Sequence, residues 1–181
     1  MTLEEKLAKS EIRNILVVDD TQANLDAAKQ YFARLEPLGI KAEYAASAQE
    51  AQQKIQESFE SKDKYGLVIT DLCMESPKAG LEVVREGFEH LIYTVIATGM
   101  NYDAPGVEPD HHGPFTRIMP LNETLRGRKD DPEIWRQVLE KTMDYIAGGS
   151  HTAIYRSIQK VGTLGVRIKG VADSMMPMFR G

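Results

Sequence analysis

Three aspartates follow two short apolar runs in this sequence, and their placement predicts that they meet in space. Asp19 and Asp20 directly follow NILVV at positions 14–18, and Asp71 directly follows GLVIT at positions 66–70. Apolar, β-branched runs of this length are typical of strands buried on both faces of a parallel sheet. Open α/β sheets place their chemistry at the carboxyl ends of such strands, which is where these carboxylates are expected.

A cluster of three carboxylates is unfavourable without a counter-ion. Two carboxylates about 4 Å apart repel each other by roughly 4 kcal/mol at an effective dielectric constant of 20. Such a cluster therefore requires a bound cation, a shared proton or a raised pKa. One strand-end aspartate alone is more simply a cap for the following turn, but its repetition at a second strand favours a functional site.

The rest of the sequence supplies the elements that would hold these carboxylates. Apolar residues at helical spacing follow the strands, and capping-box patterns begin at Thr2 and Ser47. The predicted strands span 14–18, 40–46, 66–70, 91–98 and 116–119, and the main predicted helices span 21–36, 47–59, 80–90 and 131–147. Strands that alternate with helices of ten to fifteen residues indicate βαβ units and a parallel sheet.

Two stretches depart from this alternation. Residues 99–115 include Pro105, Pro109 and Pro114, which predicts a long loop where a helix is expected. Residues 150–181 show apolar side chains every three or four positions, which predicts a helical segment weakened by its glycines. That segment carries a net charge of +4 and the remaining chain −9. We expect the apolar stripe to pack on the chain's own domain or to form a homodimer contact.

Length and composition limit the class of protein. A chain of 181 residues suits one domain with appendages, here 1–12 as an N-terminal helical extension, 13–149 as the domain and 150–181 as a basic amphipathic segment. No apolar run reaches the ~18 residues of a membrane span, and no signal core is present. A single cysteine, Cys73, suits the cytoplasm. The net charge of −5 argues against direct nucleic-acid binding.

Taken together, the motifs resemble the receiver domain of two-component response regulators over residues 14–147. ILVVDDTQAN at 15–24 is close to the first strand of that family, and DLCM at 71–74 with GLEV at 80–83 resembles its phosphoacceptor strand and third helix. VIATG at 95–99 resembles its fourth strand. The resemblance implies a doubly wound, five-stranded parallel sheet of the flavodoxin-like (CheY-like) type. This chain would add a degenerate fourth helix and an extra C-terminal helical segment.

The resemblance also implies a phosphorelay function. Asp71 would be the phosphoacceptor, receiving a phosphoryl group from a histidine kinase or a phosphotransfer protein. Mg²⁺ would be held by Asp20, Asp71 and the backbone carbonyl of Cys73, with Asp19 acting through water, and Thr98 would be the switch hydroxyl. The signal would pass to a downstream protein partner. Enzymatic activity would not extend beyond self-phosphorylation from small donors and self-dephosphorylation.

Several residues differ from the family pattern. The fifth strand of the family ends in Lys-Pro, whereas this sequence has Met119 before the proline, so the expected cation of the pocket is missing. Arg117 lies two residues earlier, about 6.6 Å along a strand, which is too far for a simple substitution. Glu75 replaces the usual proline, and Thr116 stands at the aromatic switch position.

Two alternatives remain open at this stage. One is a pseudo-receiver, a protein-interaction scaffold without phosphoryl chemistry. The other is a Mg²⁺-dependent phosphatase of the haloacid-dehalogenase type, because DDT at 19–21 followed by Asn24 resembles a late acidic motif of those enzymes. In those enzymes that motif comes last in the chain, and their nucleophile is followed by a second aspartate two positions later. Here position 73 is Cys73.

Overall fold

The computed structural model describes residues 1–10, 12–77, 79–90, 92–99, 116–120 and 127–147, with backbone only for Phe88 and for 116–120. In chain order the elements are α1 (Leu3–Ser10), β1 (Asn14–Val18), α2 (Gln22–Phe32), a 3₁₀ helix (Ala33–Leu38), β2 (Lys41–Ala45), α3 (Ala48–Phe59), β3 (Leu67–Thr70), α4 (Ala79–Glu89), β4 (Tyr93–Thr98), β5 (Thr116–Pro120) and α5 (Pro132–Ala147). The observed bounds lie within two residues of most of the predicted ones.

The strands form one parallel sheet in the order β2-β1-β3-β4-β5. Strand β3 lies at its centre, with the register Val18↔Thr70 toward β1 and Thr70↔Ile96 toward β4. This order is the flavodoxin-like one, in which the switch point lies between β1 and β3. The predicted α/β fold with a flavodoxin-like parallel sheet is therefore confirmed.

Helices cover both faces of the sheet because the strand side chains alternate between two apolar cores. Ile15 and Val17 of β1 pack in a core shared with α1, α2 and α5. Leu16 and Val18 pack in a second core shared with α3 and α4. All four of these side chains are fully buried, which explains why the run has no polar alternation. The doubly wound arrangement thus follows directly from the pattern of the strands.

Local signals in the sequence define the helix starts. Thr2 and Glu5 form the predicted capping box, with Thr2 N donating to Glu5 Oε2 at 2.8 Å and Glu5 N donating to Thr2 Oγ1 at 3.2 Å. Ser47 caps α3 in the same way, since its hydroxyl accepts from Glu50 N at 3.1 Å. Asp131 caps α5, accepting from the backbone N–H of Glu133 at 2.9 Å.

The N-terminal helix is tied to the last one. Leu7 of α1 is 2% exposed and belongs to the same core as α5, and Lys6 pairs with Asp144 at 2.5 Å. The division into segments 1–12, 13–149 and 150–181 stays a prediction. Apart from Gly99, the predicted loop and degenerate fourth helix (99–115) lie outside the described residues, and so does the amphipathic segment (150–181). Among the helices of the described ranges, none has the length and apolarity to cross a membrane.

Helix α4 approaches the end of β3 more closely than any side chain at position 80 would allow. A Cβ atom at Gly80 would lie 2.0 Å from the carbonyl oxygen of Asp71 and 2.7 Å from the Cα of Leu72. Both neighbours are backbone atoms, so the clash cannot be relieved by a rotamer change. Gly80 N also donates to Leu72 O at 2.9 Å, which holds the helix start against the strand end.

We predict that Gly80→Ala destabilises the protein by about 1–3 kcal/mol, despite the higher helix propensity of alanine. For a chain of this size that corresponds to a fall in Tm of about 2–4 °C per kcal/mol, measurable by thermal unfolding. Glu82→Ala, on the exposed side of the same helix, is the matched control and should leave Tm nearly unchanged. An unchanged Tm in Gly80→Ala would contradict the close approach.

Candidate active site

The sheet itself brings Asp19 and Asp71 together. Val18 and Thr70 are paired in register, so the residues that follow them emerge side by side at the carboxyl edge. The ladder continues for one further step, because Asp71 N donates to Val18 O at 2.9 Å and Asp19 N donates to Ala45 O at 3.1 Å. The backbone of both aspartates is therefore fixed by strand pairing rather than by a flexible loop.

Asp19 is fully buried, and its Oδ1 is committed to the start of α2. That oxygen accepts from Thr21 N at 2.9 Å and from Asn24 Nδ2 at 2.9 Å. Thr21 stands at the N-cap position of α2, but its side chain makes no capping bond. Asp19 instead turns the chain from β1 into the helix, and its second oxygen, Oδ2, is left facing the pocket.

Asp20 and Asp71 complete the predicted cluster. Carboxylate oxygens of Asp19, Asp20 and Asp71 lie within 4.8 Å of one another, as the sequence predicted. Asp20 is exposed, whereas the side chain of Asp71 is 14% exposed. Asp71 Oδ1 accepts from Leu72 N at 2.8 Å, which sets the orientation of the carboxylate. The pocket thus opens to solvent on the side of Asp20.

The pocket contains a cation that the sequence reasoning missed. Lys129 Nζ lies 2.5 Å from Asp19 Oδ2 and 2.8 Å from Asp71 Oδ2, and the lysine is only 8% exposed. The expectation that this cation is missing was wrong. It was based on Met119 of β5, but the ammonium comes instead from the turn before α5. Both contacts are ion pairs by distance, while Nζ and Asp19 Oδ2 make no aligned hydrogen bond within the described part of the chain.

Little in the local sequence marks Lys129. It ends a polar stretch of the sequence and belongs to no motif with a defined spacing. The available signal was the topology: α5 returns after β5, so the turn before it lies at the edge where the three carboxylates gather. Because those carboxylates require a counter-ion, a lysine in that turn is a candidate for it.

The pKa of Asp71 is raised above its usual value of 3.8. Burial is the largest cause and the negative charge of Asp19 adds to it, whereas Lys129 and the N–H of Leu72 act in the opposite direction. Burial also raises the pKa of the Cys73 thiol, and the charge of Asp71 adds to this effect. Cys73 donates its S–H to Pro77 O at 3.0 Å, so it is a poor thiolate nucleophile.

The loop from β3 to α4 is held at two points. Gly80 N holds Leu72 O, and Glu75 Oε1 accepts from Ala48 N at 2.8 Å, at the start of α3. Glu75 stands where the receiver pattern has a proline. The loop therefore lacks the rigid proline but gains a hydrogen bond to the start of a neighbouring helix. The loop carries Cys73, whose backbone carbonyl is the predicted metal ligand.

Thr98 ends β4, the strand beside β3, and is 1% exposed. The register Thr70↔Ile96 places Ala97 level with Asp71 and Thr98 one step beyond it, at the carboxyl edge of the sheet. The structure therefore brings Asp19, Asp20 and Asp71 together and places Thr98 on the adjacent strand end. The assignment of Cys73 and Thr98 to roles in the site stays a prediction.

The donor set suits a hard divalent cation. Three carboxylates and one ammonium give the pocket a formal charge of −2, and all the side-chain ligands on offer are oxygens. Mg²⁺ prefers one or two carboxylates together with water, and Asp20 and Asp71 are the two of the three that are not fully buried. Asp19 Oδ2, buried and without an aligned hydrogen bond, is suited to hold a water ligand or the ammonium.

Comparison with known proteins supports the fold and no more. No family model matches the sequence, and no curated protein is significantly similar to it. One similar solved structure is a fusion that carries amino acids 181–211 of the yeast Spc42 trimeric coiled coil; it matches with 15% identity and a TM-score of 0.51, covering 93% of this chain and 94% of that one. Another is RcsB from Salmonella enterica serovar Typhimurium, solved bound to a promoter with the phosphomimetic BeF₃⁻. It matches with 13% identity and a TM-score of 0.46 over 92% of both chains, which is too low to support a conclusion about this chain.

We predict that Asp71→Asn raises Tm at neutral pH in the absence of metal. Because the folded pKa is raised, the native protein binds this proton more tightly than the unfolded chain does. The contribution of Asp71 is therefore most favourable below 3.8 and becomes less favourable as the pH rises through the raised pKa. The Tm difference between Asp71→Asn and wild type should grow with pH over that interval and then level off.

Thermal unfolding across this pH range measures the effect. Tm should rise by about 2–4 °C for each kcal/mol by which the substitution raises the free energy of unfolding. Asp20→Asn is the matched control, because it removes one negative charge from the same cluster at an exposed position. A Tm of Asp71→Asn that is equal to or below that of wild type at every pH would show that burial does not dominate the titration of Asp71.

Proposed function

We propose that this protein is a signal-transduction receiver module that accepts a phosphoryl group on Asp71 with the help of Mg²⁺. The observation that carries the proposal is the contact of Lys129 with Asp71, 2.8 Å from Oδ2, at the carboxyl end of the central strand and beside two further carboxylates. A carboxylate nucleophile, an acidic cation site and a buried ammonium on one side of a parallel sheet are the parts that phosphoryl transfer to an aspartate requires.

The donor in this proposal is a histidine kinase or a phosphotransfer protein. One carboxylate oxygen of Asp71 forms a bond to phosphorus while the phosphorus–nitrogen bond of the donor phosphohistidine breaks. The donor imidazole keeps the electron pair of that bond and takes up a proton, and Asp71 becomes an acyl phosphate. Little further covalent chemistry is required, so positioning and charge stabilisation account for most of the catalysis.

Each residue of the pocket has a defined task in this scheme. The N–H of Leu72 orients the carboxylate of Asp71, and Lys129 balances the charge that gathers on the phosphoryl oxygens. Asp20, Asp71 and the carbonyl of Cys73 would hold Mg²⁺, which when bound neutralises charge on the phosphoryl oxygens. Thr98 would donate its hydroxyl to a phosphoryl oxygen, and the change would pass to a downstream protein partner in two-component signalling.

A pseudo-receiver is the second candidate, and the same lysine is the observation that favours it. Because Lys129 already lies against Asp19 and Asp71, part of the repulsion in the cluster is relieved without any metal. In that case the pocket would be a structural ion cluster and the protein would act through its surface alone. The two candidates differ in one measurable property, the reactivity of Asp71.

We predict that acetyl phosphate with Mg²⁺ forms an adduct on Asp71, detected as a mass increase in the intact protein that Asp71→Asn abolishes. Lys129→Met should slow adduct formation by about 10²-fold or more, the scale seen when one preorganised charge-stabilising group is removed. Arg128→Met is the matched control, because Arg128 is exposed and pairs only with Asp130 among the described contacts. It should leave the rate unchanged.

Asp20→Ala should raise the Mg²⁺ concentration needed for half-maximal adduct formation, because the exposed ligand of the pair is lost. An adduct that forms equally in Asp71→Asn would assign the reactivity to another residue. If no adduct forms in wild type at any Mg²⁺ concentration, the pseudo-receiver becomes the better account. Release of many phosphates per protein from a phosphomonoester would instead support the haloacid-dehalogenase type of enzyme.

A further inference from the structure

Lys129 belongs to no strand, so strand pairing does not fix its position as it fixes Asp19 and Asp71. It lies in the turn before α5, where Asp131 N donates to Arg128 O at 3.1 Å. Its side chain lies in the acidic pocket, while its own carbonyl oxygen accepts from the indole N–H of Trp135 at 2.8 Å. Two ends of one residue therefore connect the pocket to the first turns of the last helix.

Trp135 is suited to fix that connection. It is 1% exposed, and its ring packs against Phe32 of α2 with centroids 6.5 Å apart. A buried indole N–H that donates to one carbonyl has a strong preference for that partner, because losing it would leave a buried donor unpaired. The carbonyl of Lys129 is thus held by a side chain that the core itself immobilises.

These contacts form a closed chain of interactions that connects Lys129, α5, α2 and Asp19. Asp19 holds the start of α2 through Thr21 N and Asn24 and contacts the ammonium of Lys129. Trp135 then links Lys129 to α5 and packs on the far end of α2. A change in the charge that Lys129 faces must be accommodated by these contacts, and the turn before α5 is a part of them that is held by neither strand pairing nor a helix.

We propose that Trp135 is a positioning residue for Lys129 and that their contact carries changes in the pocket to the first turns of α5. The part of this proposal that concerns a bound phosphoryl group or Mg²⁺ rests on the proposed function, whereas the positioning of the ammonium does not. A pocket occupant that draws Lys129 away from Asp19 pulls on the carbonyl that Trp135 holds. The exposed side chains of that part of α5, such as Glu133, are then the surface that reports the change to a partner.

The indole N–H of Trp135 is a direct probe, because the chain contains a single tryptophan and gives a single indole signal in an amide NMR spectrum. We expect Asp71→Asn, without metal or donor, to displace that signal, because Asp71 contacts Lys129. Asp20→Asn removes the same charge from the same cluster but has no described contact with Lys129, and it should displace the signal much less. In the Lys129→Met background, the further change Asp71→Asn should leave the indole signal where it is.

Equal displacements in Asp71→Asn and Asp20→Asn would overturn the proposal, since the indole would then sense only the overall charge of the pocket. This comparison does not require Lys129→Met to fold, so it decides the matter alone. Trp135→Phe provides a second test. It keeps an aromatic ring but removes the donor, and it should slow adduct formation on Asp71 by a few-fold to about tenfold, the scale of one hydrogen bond.

Addition of Mg²⁺ and beryllofluoride to wild type separates this inference from the proposed function. Movement of the Leu72 amide and the Trp135 indole together supports both. Movement of the Leu72 amide alone shows that the pocket binds its ligand but that Trp135 does not respond, which refutes the inference only. If neither signal moves, the proposed function fails, while the metal-free comparison of Asp71→Asn with Asp20→Asn still decides whether Trp135 positions Lys129.

Discussion

The ammonium of Lys129, between Asp19 and Asp71, is the interaction on which the rest of the site depends. Strand pairing brings the carboxylates to one edge of the sheet regardless of their repulsion, so a neighbouring positive charge is what makes the arrangement tolerable. Removing the ammonium from such a buried group typically costs about 3–5 kcal/mol, because it leaves carboxylates with uncompensated charge. The turn before α5, the indole of Trp135 and the start of α2 can all be understood as supports for that one ammonium.

The pocket combines rigid and adaptable parts. Asp19 and Asp71 are fixed by the continuing ladder, and Gly80 keeps α4 against the end of β3. Asp20 is exposed, and Lys129 reaches the pocket from a turn. In the function proposed above, Asp71 would keep one orientation while the charges around it rearrange as a phosphoryl group is added or removed.

The sequence predicted the frame of the molecule well because the frame depends on local patterns. The buried strands carry uninterrupted apolar runs such as ILVV at 15–18, and Thr2 and Ser47 begin capping boxes that the structure contains. The meeting of the three aspartates also followed, since parallel strands end at one edge. Lys129 could not be found in this way, because its role depends on how a turn more than fifty residues after Asp71 folds back over the sheet. Glu75 is a similar case: it looked like the loss of a proline, but it fastens the loop to α3.

A double-mutant cycle between Lys129 and Asp71 tests the central claim most directly. Free energies of unfolding are measured by denaturant titration for wild type, Lys129→Met, Asp71→Asn and the double variant, without metal. If the ammonium is the counter-ion of Asp71, Asp71→Asn stabilises the protein far more in the Lys129→Met background than in wild type, with a coupling free energy of about 0.5–3 kcal/mol. Effects that add within about 0.3–0.5 kcal/mol would show that the two side chains are neighbours without a significant interaction, and would contradict the account.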